Sequence, residues 1–126
     1  MFSPHFSKRE LACPLTGEIK LQDGFIDDLE ELRVEYGLPM PVTSGCRSQA
    51  HNAVVGGHPH SLHMIDNEHH NTDTCAVDIS RPRGPDLLKL VKIAINKGWS
   101  IGVANTFIHL DMRSKYTNRQ PTIYTY

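Results

Sequence analysis

Two hydrophobic periods run along this chain, and the places where one gives way to the other outline its elements. Between Gly24 and Gly37, the residues Phe25, Ile26, Leu29, Leu32 and Tyr36 recur at three- and four-residue spacing. Asp27, Asp28, Glu30, Glu31 and Arg33 fall on the other side, which predicts an amphipathic helix stopped by Gly37 and Pro39. Upstream, Ser7 and Glu10 stand three apart around "KREL", the pattern of a capping box opening a short first helix. "RSQAHNAVVGG" predicts another short helix closed by Gly56 and Gly57, and Pro85 opens the amphipathic "DLLKLVKIAINKG" with Gly98 just past its end.

The other period is two. "PVTSG" (41–45) is a short β-prone run ended by glycine. "CAVDIS" (75–80) predicts a strand with Ala76, Asp78 and Ser80 on one face and Val77 and Ile79 on the other. "WSIGV" and "TFIHLDM" follow as two more strands; in the second, Phe107, His109 and Asp111 share a face opposite Ile108 and Leu110. Helices precede and separate the strands without βαβ regularity, so the fold class is α+β: a small, mostly antiparallel sheet with helices packed on one side. The final "YTNRQPTIYTY" fits either an edge strand or a loose tail, with its tyrosines packing on the domain.

Length and charge narrow the partners. The 126 residues suit one domain, 1–126, large enough for a core without disulfides. A formal net charge of −1 gives no basic face for nucleic acid, and no run of about eighteen apolar residues offers a membrane span. The opening "MFSPHFSKRELACPL" lacks the basic start and apolar stretch of an export signal, so cytoplasmic synthesis is expected. Cys13, Cys46 and Cys75 are an odd, widely spaced set without a CxxC pair, which argues against a thiolate zinc knuckle and a disulfide scaffold; a Cys13–Cys46 pairing stays open.

The candidate chemistry lies in "SLHMIDNEHHNTDTCAVDIS" (61–80), which holds three of eight histidines and four carboxylates. A catalytic zinc site usually takes three protein ligands from nitrogen, sulfur or carboxylate and leaves one position open. If Val77, Ile79, Ile108 and Leu110 face the core, Asp78 and His109 face one open side of the sheet, and a third ligand has to come from the histidine-rich loop. Solvated polar residues on two strands are the other reading of the same pattern.

Beyond periodicity, "VTSGCRSQAHNAVVGG", "SLH", "AVDI" and "FIHLD" occur in order and resemble the successive motifs of the zinc D-alanyl-D-alanine peptidases. That family cleaves peptidoglycan peptides and shares its core fold with the hedgehog signalling domain. "FSKRELACPLTG" and "GLPMPVTSG" extend the resemblance upstream, so that it covers most of residues 6 to 113. It implies His63, Asp78 and His109 as zinc ligands, Arg47 as a contact to substrate or to a developing oxyanion, and Ser61 as a substrate-side or loop-orienting partner.

Three departures from the family pattern carry expectations of their own. Fourteen residues, "MIDNEHHNTDTCAV", separate His63 from Asp78 where the family has six. An insertion after His63 explains this, and a rival alignment takes His69 or His70 as the ligand. Cys46 replaces the usual tyrosine of the SGYR turn. Where several relatives carry a carboxylate base three residues before the last ligand, this chain has Thr106. Asp111, on the same strand face as His109, is the expected substitute base, or else orients the imidazole; Asp66, Glu68, Asp73 and His60 in the loop are further acceptors.

The resemblance therefore implies a zinc peptidase acting on peptidoglycan stem peptides or crosslinks, as carboxypeptidase or endopeptidase. As a bare catalytic domain, it is expected to be a monomer of the phage endolysin type, made in the cytoplasm and acting on the bacterial cell wall. The alternative is a noncatalytic, zinc-stabilised binding module on the same fold, to which the missing carboxylate at position 106 counts.

Overall fold

The structure is a computed structural model that describes residues 2–126. It is an α+β fold in which a five-stranded, mostly antiparallel sheet carries its two long helices on one face. Helix α1 (Lys8–Leu11) opens with the capping box expected from the sequence: the Ser7 side chain accepts from Glu10 N–H while the Glu10 carboxylate accepts from Ser7 N–H. Helix α2 (Phe25–Tyr36) buries Phe25, Leu29, Leu32 and Tyr36 and ends at Gly37, whose φ of 79° lies in the left-handed region. Strand β1 (Val42–Ser44) and the short helix α3 (Gln49–Val54) follow, then β2 (Ala76–Ser80) and α4 (Gly84–Asn96), with Pro85 in its first turn and Gly98 past its end.

Strands β3 (Ser100–Val103) and β4 (Phe107–Asp111) form an antiparallel hairpin. The chain then makes a four-residue helix, α5 (Arg113–Tyr116), absent from the pattern-based reading, and a last strand, β5 (Ile123–Thr125), one of the two readings that the final segment left open. The sheet order is β1-β2-β4-β3-β5, antiparallel throughout except for the β3–β5 pair. The tail is thus an edge strand. All three cysteines are free and buried, so the Cys13–Cys46 pairing is not made.

Alternation along the central strands fixes which face is which. Val77 and Ile79 of β2, Ile108 and Leu110 of β4 and Ile101 of β3 are all fully buried, in one cluster with Phe25, Leu29 and Leu32 of α2 and Leu90 and Ala94 of α4. Each such aliphatic side chain contributes about 1.5–3 kcal/mol of burial free energy. That sum holds the register against a one-residue slip, which would drive the apolar set to the other face. The opposite face consequently presents Asp78 and His109, which are direct cross-strand partners in the β2–β4 ladder.

The segment between His63 and Asp78 is an ordered loop with its own architecture. Asn67 and Thr72 exchange backbone hydrogen bonds in a small antiparallel bridge, and Asp66 and Asn71, each directly before one of the two partners, take positive backbone φ angles. The Asn67 side chain, 1% exposed, donates to the carbonyls of His60 and Ser61 and accepts from the N–H groups of His69 and His70. Lys20 anchors the outer edge of the loop through Asp66 at 2.8 Å and Asp73 at 3.7 Å.

Candidate metal centre and cleft

His63, Asp78 and His109 come together on the sheet face opposite α2 and α4, all buried. His63 Nε2 lies 3.1 Å from Asp78 Oδ1 and 3.3 Å from His109 Nδ1, and His109 Nδ1 lies 3.0 Å from Asp78 Oδ1. Strand register delivers Asp78 and His109. His63 is delivered by its loop: the Ser61 hydroxyl accepts from His63 N–H, Thr74 Oγ1 donates to the His63 carbonyl, and Arg47 N–H donates to the same carbonyl.

The partners on the far side of each ring decide what these three atoms are. His63 Nδ1 meets the Gly45 carbonyl at 2.8 Å, an acceptor only, so Nδ1 carries the proton there. His109 Nε2 meets Asp111 Oδ2 at 2.7 Å, and that carboxylate also receives Arg113, so Nε2 is the donor. In the neutral imidazoles, His63 Nε2 and His109 Nδ1 are therefore lone pairs, pointing at each other and at a carboxylate oxygen. Three acceptors within 3.0–3.3 Å repel unless a metal cation or a proton stands among them. A tetrahedral zinc with ligands at about 2.0–2.1 Å spaces neighbouring donor atoms about 3.3 Å apart, so the donor set and its spacing fit that metal.

Charges around the group are held by direct contacts. Burial pushes the Asp78 carboxyl up, but a proton shared with the His109 and His63 rings when no cation is bound outweighs it and holds the group well below the usual carboxylate range. Asp111, wholly buried, behaves likewise: burial is overcome by His109 and Arg113, and its carboxyl stays ionised. Its Oδ1 accepts from Arg113 N and Nε, both at 3.0 Å, and its Oδ2 from Arg113 Nη2 and His109 Nε2, both at 2.7 Å. For His63, burial dominates and lowers the imidazole pKa. For His109, burial pulls down but hydrogen bonds to Asp111 and Asp78 pull further up.

The group stands in the wall of a cleft of about 570 Å³. Arg47 flanks it, with Nη2 3.5 Å from Asp78 Oδ2, Nε donating to Ser44 and Nη1 to Asn52. Gly57 makes this clamp possible, because a Cβ there would fall 2.1 Å from Asn52 Oδ1 and 3.0 Å from Arg47 Nη1. His58, His60, Ser61, Arg119, Tyr124 and Tyr126 line other parts of the cleft.

The residues singled out from the sequence are thus distributed unequally. His63, Asp78, His109, Arg47, Ser61 and Asp111 all reach the cleft. His69 and His70 stay outside the three-residue group, held with His60 in a cluster where His60 and His69 stack at 3.7 Å between ring centroids. Asp66, Glu68 and Asp73 do not line the cleft, and Thr106 sits in the β3–β4 turn. Of the loop acceptors only His60 lines it. Sequence reasoning missed Arg113 and Tyr124. Arg113 was open to a local signal, an arginine two residues after a strand-end aspartate.

The sequence model of a family described as Peptidase M15 matches residues 4–111. No curated protein and no solved structure matches the chain. The match covers the capping box, the Arg47 clamp and all three residues of the buried group, and the chain belongs to the M15 peptidase family.

Proposed function

We propose that this chain is a zinc peptidase that hydrolyses a peptide bond in peptidoglycan stem peptides or their crosslinks. The observation that carries the reading is the convergence of three lone-pair atoms, 3.0–3.3 Å apart, in the wall of a cleft with Arg47 beside them. His63 through Nε2, His109 through Nδ1 and Asp78 through Oδ1 would hold the ion. Zinc held there supplies Lewis acidity and an acidified water.

The remaining work falls to the chain's own side chains. Arg47, pinned by Ser44 and Asn52, offers a fixed fork of donors to a substrate carboxylate or to the charge that develops on the attacked carbonyl. Asp111 has all of its accepting positions engaged by His109 and Arg113, so it serves by fixing the His109 tautomer; a role as the base that deprotonates water would require it to release one of those donors. Ser61 orders the turn that presents His63. Of the three arginines lining the cleft, Arg113 is paired with Asp111, and Arg47 and Arg119 suit a peptide bearing free carboxylates, as peptidoglycan stems do. Together with the motif resemblance, this supports a cell-wall substrate and a part in phage-driven lysis, as carboxypeptidase or endopeptidase.

The test is digestion of purified Gram-negative peptidoglycan by the zinc-loaded protein, with fragment masses read by mass spectrometry beside chelated protein and His63→Ala. A defined fragment that needs both metal and His63 is expected, and its mass names the bond. Stoichiometric zinc binding that stabilises the fold without releasing any fragment would overturn the reading in favour of a binding module. Both carboxylates at the cleft, Asp78 and Asp111, being committed to other partners is the observation on that side.

A further inference from the structure

The matched family region ends at Asp111, and the chain after it returns to the cleft. Strand β5 lies parallel to β3 with Gly102 opposite Tyr124, while Gly102 is also opposite His109 across the β3–β4 ladder. Paired residues in a pleated sheet project to the same face, so His109, Gly102 and Tyr124 form one row on the cleft side. Gly102 has no side chain, and Tyr124 fills the space: a Cβ at Gly102 would stand 2.7 Å from Cζ, 2.8 Å from Cε2 and 2.9 Å from the hydroxyl oxygen of Tyr124. The phenol therefore lies across β3, pointing from the sheet edge toward β4.

Other contacts fix it there. The Tyr124 ring centroid is 6.1 Å from that of His109, and the Arg113 guanidinium sits 5.9 Å from it in cation–π range. The strand itself is held by Ile101 N–H to Thr122 O at 2.9 Å and Thr122 N–H to Ser100 Oγ at 3.0 Å. A hydroxyl donor thus stands on the His109 side of the three-residue group, while Arg47 stands on the Asp78 side.

We infer that Tyr124 is a substrate-contacting residue whose phenol O–H donates a hydrogen bond to the attacked carbonyl oxygen of the bound peptide, across the group from Arg47, and that Gly102 is the vacancy that lets it reach. The phenol keeps its proton throughout and gives a hydrogen bond that strengthens as charge develops on that oxygen. This rests on the peptidase reading above.

The test compares wild type with Tyr124→Phe, which keeps the ring and removes one oxygen, and with Gly102→Ala, which pushes the ring away. The zinc-loaded proteins are titrated calorimetrically with a D-alanyl phosphinate dipeptide, a tetrahedral mimic, and assayed on peptidoglycan. For Tyr124→Phe, binding of the mimic should weaken about tenfold or more and kcat should fall about 100-fold, with KM changed less than about threefold. Zinc affinity and Tm should match wild type; Gly102→Ala should move binding and kcat in the same direction. Mimic binding and kcat equal to wild type in Tyr124→Phe would overturn the inference, as would a drop in Tm alone, which is the mark of a packing role. A wild type that neither binds the mimic nor cleaves defeats the peptidase reading and this inference with it, a result distinct from a silent Tyr124→Phe in an active protein.

Discussion

Asp111 receives four hydrogen bonds on two oxygens while wholly buried, an arrangement affordable only because an arginine and an imidazole supply the donors. Its effect on the metal group is exerted through His109: with Nε2 committed to the carboxylate, Nδ1 is left bare and aimed at Asp78. Asp111→Asn keeps the shape and removes the charge, so the tautomer is no longer held and the ring is a poorer ligand. Zinc affinity should fall about 10–100-fold, the usual effect of losing such a partner, read by competition against a chelating dye. His63→Ala, which removes a ligand outright, should lose more. An Asp111→Asn variant that binds zinc as wild type does would show that the backbone alone orients His109.

Strands and loop supply the site in different ways. The strands contribute Asp78 and His109 through register. The loop contributes His63 through the backbone bonds it makes with Ser61, Thr74 and Arg47, in a turn that Asn67 braces by tying residues 60–61 to residues 69–70. Asn67→Ala leaves two carbonyls and two N–H groups without this partner and should destabilise folding by about 2–4 kcal/mol, measured by urea unfolding. Faster hydrogen exchange should be confined at first to residues 66–74. The same contrast explains what the sequence disclosed. Alternation in "AVDIS" and "FIHLD" made the faces of β2 and β4 legible, with the pairing of Asp78 and His109 a consequence, and helical spacing disclosed α2 and α4. His63 had no period to betray it and was named through the motif resemblance. Strand β5 is three residues of edge with Ile123 and Thr125 exposed, so it lacked an apolar alternation. Its place beside β3 follows from a gap at Gly102, a tertiary fact invisible to any local pattern.

In the molecule as a whole, two of the three buried thiols, Cys46 and Cys75, set a limit on stability at alkaline pH. Burial, aided by the negative charge of Asp111, pushes the Cys75 thiol up to about 12; burial raises Cys46 as well, and burial with the Asp28 carboxylate raises the Tyr116 phenol. In the unfolded chain a thiol loses its proton near pH 8.5. Between that value and about 12 the folded state retains the Cys75 proton and the unfolded state does not, so unfolding releases protons and rising pH favours it. A raised pKa thus gives stability that is fully present below about pH 8.5 and drains away above it, at up to about 1.4 kcal/mol per pH unit for each such group. Cys13 runs the other way: burial pushes its thiol up, but hydrogen bonds with Thr16 and Ser48 outweigh that and hold it at about 7, so stability gains a little as pH rises toward about 8.5. Urea midpoints of the chelated protein, taken at half-unit steps from pH 7.5 to 10.5, should therefore rise slightly at first and then decline. In Cys75→Ala the decline should be shallower by one group's slope, while the midpoint at pH 7.5 moves only by the loss of a small buried side chain. Identical slopes in the two proteins would mean that the Cys75 thiol titrates alike folded and unfolded, and that its burial exerts no control over the alkaline limit.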